Sequence, residues 1–529
     1  MRRNWMCRHD TAMRRGYPRV LITKPQAESM PIRLIPARSV LLLVLVTLAL
    51  LLPRLVLAQS AAADEWTRVH ADLRFGFETI KMPGNENMGL LGTSYLAELR
   101  PGLCAGPAVY GAITGQRGGF FVVGAEAALC TVLAGPLSLE AGLFVGGGGG
   151  GAAPVGGGLM LRPHADLLWD FGGYRVGVSV SNVRFPSGQI NSSQVGLVFG
   201  MNTELTYLPS GRAPVPFTGG GRTGIGFDRI LAVAGAYRPG AGTLGNSGAE
   251  LNSQIGFVGA RAEKFYTPNI YAGVEATGAA SGGASGYAEF LGTAGLEWQL
   301  VPDRFTVGGR LALGMGGGGD IPTGGGLLGK AALDATLRLS RSLSLNLEGG
   351  WARAPQGSFS APFGSLAVQW DFDHPQGQPT VLTREEFAGG VETYTSAARK
   401  VGPAQSMQNV SFKLNRFISE TFYLTGQVQS AYAGGAGAYT AGLIGVGAQA
   451  HIGERVVVGA ELLAGAGGGG GVADGSGAIV KPMAYVGYDF TRSLSLRLGA
   501  GQVKAVSGPL DSTVVDLTLA FSFGVASRP

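Results

Sequence analysis

The sequence predicts an all-β chain built from three similar parts. Three observations carry this. A glycine-rich passage occurs three times: LFVGGGGGGAAPVGGGLM at 143–160, LGMGGGGDIPTGGGLL at 313–328 and LAGAGGGGGVADGSGAI at 463–479. Recurrence of this kind marks a repeat architecture. Alternation of apolar and polar residues recurs at the same place after each run, in Arg175–Val180, Ser342–Leu347 and Ser493–Leu498. A period of two is the signature of a half-buried strand. Finally, beyond the first 58 residues no segment has convincing helical periodicity or 18 consecutive apolar residues. Glycine is abundant, 90 of 529 residues, but the chain is also 45% hydrophobic. Disordered chains lack the apolar surface needed to fold, and this one has it in short alternating stretches.

The N-terminal region reads as a targeting segment. Arg33 and Arg38 precede the apolar run Val40–Leu52, and Val56-Leu57-Ala58 offers a small-residue cleavage site. This is the layout of a secretory signal peptide within residues 1–58, with Met30 as the expected start. An N-terminal membrane anchor is the alternative, but the run is short for a spanning helix. Residues 1–58 carry ten Lys/Arg and two Asp/Glu, so the net charge of +6 belongs to this segment. The remainder is mildly acidic, which gives no argument for nucleic acid.

The strands follow from aligning the repeats. Before each glycine run lies a strand, at 137–145, 305–314 and 456–466. After it lies another, at 159–171, 327–339 and 478–490. Tight turns at Gly172-Gly173, Ser340-Arg341 and Thr491-Arg492 lead to a seventh strand and then an eighth. Four more precede them, near 68–80, 89–99, 105–115 and 120–132 in the first repeat. The repeats span 66–205, 222–372 and 385–524, with linkers at 206–221 and 373–384, for about 24 strands. The glycine runs are expected to join strands five and six, since glycine tolerates positive φ at a tight strand end. A phosphate-binding loop is excluded because no Gly-Lys-Ser/Thr closes the run and no helix follows.

The strands form hairpins of similar length with very short alternate turns. Aromatic residues gather near turns: Trp169, Phe171 and Tyr174 in the first repeat, Tyr488 and Phe490 in the third. The last strand alternates cleanly, Val515, Leu517, Leu519, Phe521 and Phe523 against Asp516, Thr518, Ala520 and Ser522. In this pattern the chain resembles the outer-membrane β-barrel proteins of Gram-negative bacteria. The resemblance implies a transmembrane antiparallel barrel with apolar residues facing lipid and polar ones inside. It also implies the outer membrane as location, with its lipids and the barrel assembly machinery as partners. Members usually finish on an aromatic residue, whereas here Phe523 is followed by Gly524–Pro529.

Three tandem eight-stranded barrels and one barrel of about 24 strands both fit this pattern. The Pro-rich stretches Pro209–Thr218 and Asp373–Leu382 favour three, because separate barrels need linkers between them. Glu140, Arg310 and Glu461 fall on the polar face of strand five, and Arg162, Lys330 and Lys481 on that of strand six. Symmetry about the glycine loop then makes Glu140–Arg162 and Glu461–Lys481 candidate ion pairs inside the barrels. Arg310 would face Lys330, with Asp334 or Glu348 compensating. Walls of a wide aqueous pore are the other reading of these charges. Cys104 and Cys130 lie symmetrically about Arg117 near the periplasmic end, and are candidates for a disulfide in an oxidising compartment.

Catalysis has little support. After processing, the histidines are His70, His164, His374 and His451, and none recurs at an equivalent position. His164 with Asp166 is the nearest approach to a catalytic pair, and a satisfied interior histidine is the simpler reading. No Cys/His cluster has metal-ligand spacing, so no metal or other cofactor is expected. The reading is a non-enzymatic integral outer-membrane protein with a structural or surface-interaction role. The alternatives are a porin or export channel formed by one large barrel, and an outer-membrane lipid-modifying enzyme.

Overall fold

Twenty-four antiparallel strands fold into three separate closed barrels of eight in the computed structural model, which describes residues 65–209, 223–373 and 381–527. The first barrel comprises β1 (Thr67–Lys81), β2 (Asn87–Arg100), β3 (Leu103–Thr114), β4 (Phe121–Ala134), β5 (Leu137–Gly149), β6 (Leu159–Asp170), β7 (Tyr174–Arg184) and β8 (Asn191–Tyr207). The second comprises β9 (Arg229–Tyr237), β10 (Ile255–Phe265), β11 (Ile270–Ala279), β12 (Ala288–Val301), β13 (Phe305–Gly317), β14 (Leu327–Arg338), β15 (Leu343–Arg353) and β16 (Ser360–Asp371). The third comprises β17 (Val381–Ala397), β18 (Gln405–Phe417), β19 (Phe422–Ala433), β20 (Thr440–Ile452), β21 (Val456–Gly468), β22 (Ala478–Asp489), β23 (Leu494–Ala505) and β24 (Asp511–Ser527). Each closes by pairing its first and last strands, as in Phe75↔Phe199, Val233↔Ala367 and Gly389↔Leu519. The three tandem eight-stranded barrels expected from the sequence are found, and the alternative of one barrel of about 24 strands is not. The signal segment and most of the linker residues, His374 included, lie outside the described residues.

Alternation decides which residues line each wall. Along β7, Val176, Val178 and Val180 point outward and are exposed, while Ser179, Ser181 and Val183 point inward and are buried. Val195, Leu197 and Leu333 are 69%, 63% and 74% exposed. Apolar side chains this open to solvent would be costly in water and are favourable against lipid. The turns at the end holding the chain's linkers are short, such as 101–102 and 135–136, and those at the other end are longer. This is the asymmetry between periplasmic turns and extracellular loops.

The glycine runs differ from the expectation in a useful way. Their first residues belong to the strand, which reaches Gly149, Gly317 and Gly468. Only the remainder forms the loop, and several of its glycines sit at positive φ, among them Gly151 at 54° and Gly319 at 55°. At this end the three barrels, which belong to one unit spanning 52–529, meet in cyclic order. Strand β3 of the first barrel rests on β13 and β14 of the second. Strand β11 of the second rests on β20 and β21 of the third. Strand β19 of the third rests on β5 and β6 of the first. The third strand of one barrel thus meets the fifth of the next at every junction, a heterologous contact that closes into a ring of three. Glycine permits the approach. A Cβ added at Gly119 would lie 2.2 Å from the Gly318 nitrogen, one at Gly468 would lie 2.3 Å from that of Gly286, and one at Gly437 would lie 2.5 Å from the Gly156 oxygen. Gly118 donates its N–H to the Gly324 carbonyl across the first junction at 2.8 Å. Near the linker end, Leu208 and Gly524 exchange two backbone hydrogen bonds, of 3.0 and 2.8 Å, between the first and third barrels.

Candidate functional site

The lumens are where a channel or an enzyme would place its working residues, and each is filled in two layers. Toward the glycine loops lies an apolar plug. In the first barrel it contains Met88, Leu90, Phe120, Phe144, Met160 and Phe185, all buried. The second barrel uses Tyr237, Phe257, Tyr287, Leu328, Phe359 and Phe363, and the third uses Tyr394, Met407, Tyr439, Leu463, Ile479 and Val503. These residues lie on the inward face of their strands or in the loops above. Eight strands leave an interior that side chains can fill.

Below each plug lies a network of opposite charges. In the first barrel Glu140 bridges two guanidiniums, Arg74 at 2.5 Å and Arg175 at 2.8 Å, and Arg175 also pairs with Asp72. Arg162 forms two bonds to Glu78, of 2.9 and 3.1 Å, and stacks over the Tyr110 ring at 5.3 Å. In the second barrel Glu275 takes Arg261 at 2.9 Å, Arg310 at 3.1 Å and Lys330 at 2.9 Å. Glu348 takes Arg310 at 2.5 Å and Arg261 at 2.8 Å, and Glu289 takes Lys330 and the hydroxyls of Tyr237 and Tyr287. In the third barrel Arg497 forms a fork with Glu386, Lys413 meets Glu461 at 2.7 Å, and Lys481 meets Glu392 at 2.8 Å. An isolated ion would be expensive at such depth, so these charges are held by partners of opposite sign, several with further hydrogen bonds such as those of Tyr237 and Tyr287 to Glu289.

Glu140, Arg162, Glu461 and Lys481 all point into the lumens, but not at one another. The register sets Glu140 opposite Asp166 and Arg162 opposite Phe144, four residues from the expected pairing. It sets Glu461 opposite Met483 and Lys481 opposite Leu463, two residues away. The cause is the strand character of the first glycines, which moves the centre of the hairpin later in the chain. The partners come instead from across the barrel: Glu78 and Glu392 on the first strands, Arg74 and Lys413 on the first and second. Spacing within one hairpin cannot show these. Arg310 stands opposite Ala332, and Lys330 opposite Ala312. Glu348 compensates Arg310 as expected, whereas Asp334 receives a hydrogen bond from Asn346 at 3.0 Å.

Cys104 and Cys130 both point inward near the linker end. They are free thiols with sulfurs 3.8 Å apart. Cys104 stands opposite Ala128, so the two are diagonal neighbours rather than directly opposed. His164 is buried between Asp166, whose carboxylate lies 3.0 Å from Nδ1, and Glu126, 3.6 Å from Nε2. The nearby hydroxyl of Ser181 donates to Glu78, away from the imidazole. A nucleophile–histidine pair is therefore not assembled there. Among the described residues no group of three His, Cys, Asp or Glu is arranged to hold a metal ion.

Closed barrels with apolar exteriors and charged, filled interiors satisfy every strand's backbone while facing lipid, which is the condition for crossing a membrane with strands. The architecture is that of an outer-membrane β-barrel protein. No family model and no curated protein matches the chain. Among solved structures, the chain is similar to a ferric enterobactin receptor mutant from Pseudomonas aeruginosa, with 10% identity over 86% of this chain and 80% of that one, TM-score 0.27. A siderophore receptor from Acinetobacter baumannii gives 10% identity, 86% and 80% coverage and a TM-score of 0.27. OpdQ from Pseudomonas aeruginosa gives 9% identity, 86% and 98% coverage and a TM-score of 0.21. Likeness at this level carries no argument about what this barrel protein does.

Proposed function

We propose that this chain is a non-catalytic integral protein of the outer membrane of a Gram-negative bacterium, with a structural or surface-interaction role. In this reading the barrels do not conduct. Strand insertion would use the barrel assembly machinery, and membrane lipids would be the standing partners. The observation that carries it is the double filling of every lumen, an apolar plug above a closed charge network. A solute would have to displace the buried aromatic side chains of the plug and then unpair buried ions. The rings of loops at the glycine end would be the surface offered to the exterior.

A porin or export channel is the rival reading, and one experiment decides between them. The purified full chain is inserted into planar bilayers in molar salt. Filled barrels predict no sustained open conductance under moderate voltage. Stable, reproducible open steps would contradict the filled-barrel reading and make the protein a channel.

A further inference from the structure

The junctions at the glycine end are made by strands two to six, among them β10 and β18 beside β3, β11 and β19. Strands seven and one carry outward apolar residues away from those junctions, and strand eight between them meets another barrel near the linker end, where β8 packs on β24. At the extracellular rim of these strands the first barrel carries two outward cations, Lys81 ending β1 and Arg184 ending β7. Between them stands β8, with Asn191 directly opposite Arg184 and the Ser192 hydroxyl accepting the Lys81 N–H at 2.9 Å. The second barrel repeats this. Arg353 ends β15 opposite Ser360, and Arg238 follows β9 with its N–H on the Pro362 carbonyl at 3.0 Å. All four side chains are exposed, and none forms an ion pair among the described residues. Each cation pair straddles one strand, which separates the two backbones by about 10 Å.

The third barrel lacks the arrangement. Thr395 stands where Lys81 and Arg238 stand in the others, and Lys504 has an acidic neighbour, Asp511, at 3.8 Å. Below the cations on the same strands are the lipid-exposed Val176, Val178, Val180 and Leu347. The cations therefore sit at the top of an apolar wall, at headgroup level. We propose that these two rim sites, Lys81/Arg184 and Arg238/Arg353, each bind the phosphates of an anionic lipid headgroup in the outer leaflet. The inference rests on the membrane-spanning reading above. Two exposed cations on backbones about 10 Å apart, with strand hydroxyls and amides between them, suit a headgroup bearing two phosphates.

The test uses the full chain in neutral detergent, with lipid A as probe and its dephosphorylated form as control, counted by native mass spectrometry. A heat-dependent gel mobility shift reports barrel closure separately, so loss of that shift bears on the membrane reading and not on this one. The expected result is retention of lipid A over the dephosphorylated lipid by at least about tenfold. Lys81→Gln with Arg184→Gln abolishes one site, Arg238→Gln with Arg353→Gln abolishes the other, and Lys504→Gln changes nothing. Equal retention of both lipids by the unmodified chain would overturn the proposal without recourse to variants. So would unchanged binding in the glutamine variants, or displacement of lipid A by millimolar inorganic phosphate, which would mark a free-anion site.

Discussion

Glu386 shows what a single interior residue contributes. Its carboxylate receives the Arg497 guanidinium, the Asn415 amide at 2.8 Å and the Ser522 hydroxyl at 2.6 Å, with no solvent contact. Glu386→Gln keeps the shape but leaves Arg497 buried without a counter-ion. We expect a loss of about 3–5 kcal/mol, read from urea unfolding of the refolded chain in micelles. Removing Arg338 from its bond to the well-exposed Asp303 should cost about 1 kcal/mol or less. Similar costs for the two substitutions would mean that the lumens admit water. Asp474 is a different case, because it lies in the β21–β22 loop outside the membrane-spanning strands. Burial raises its carboxyl from 3.8 to about 6, against the hydrogen bond from Ser285 of the second barrel and the charge of Lys400. A carboxyl raised on folding contributes stability that is full below about 3.8 and lost as pH rises through about 6. The shift corresponds to roughly 3 kcal/mol. The urea midpoint should therefore fall between pH 4 and pH 8, and Asp474→Asn should flatten that dependence. An unchanged slope in the variant would assign the effect elsewhere.

At the scale of elements, the strands were the legible part. Alternation placed the first four at 68–80, 89–99, 105–115 and 120–132, and they run 67–81, 87–100, 103–114 and 121–134. The inward or outward sense of Glu140, Arg162, His164 and Lys481 was also legible, because parity along a strand survives small errors at its ends. Opposition across a hairpin does not survive them. The hairpin of β3 and β4 folds one residue earlier than Arg117 would place it, and the cysteines become diagonal neighbours. The purpose of the glycine runs was not legible at all. Sequence local to one repeat suggests a loop within that repeat, whereas the runs meet another barrel. Gly437 tests this directly. It is not at positive φ, and the three atoms nearest an added Cβ all belong to the first barrel, in Gly156, Gly157 and Gly158, at 2.5–2.8 Å. Gly437→Val should leave each barrel closed by gel mobility while exposing the loop at 150–158 to protease. Unchanged protection would show that the junction does not depend on that approach.

The molecule as a whole is three filled barrels joined into a ring at the glycine end by junctions of one kind. Each barrel contains its own plug and its own charge network. Each closes by pairing its first and last strands. The third barrel spans Val381–Ser527, four residues earlier at its start than the repeat read from sequence. The ring was not visible in sequence because no residue pattern within one repeat records its neighbour. Independence of the barrels is the central claim, since filled lumens and separate closure go together. The most direct test is to refold residues 381–529 alone into detergent micelles and compare gel mobility with and without boiling. We predict a heat-dependent shift, because every interior partner of Glu386, Glu392 and Glu461 lies within this segment. Failure of the segment to close, with the full chain shifting normally, would contradict three self-contained barrels and make closure a property of the ring.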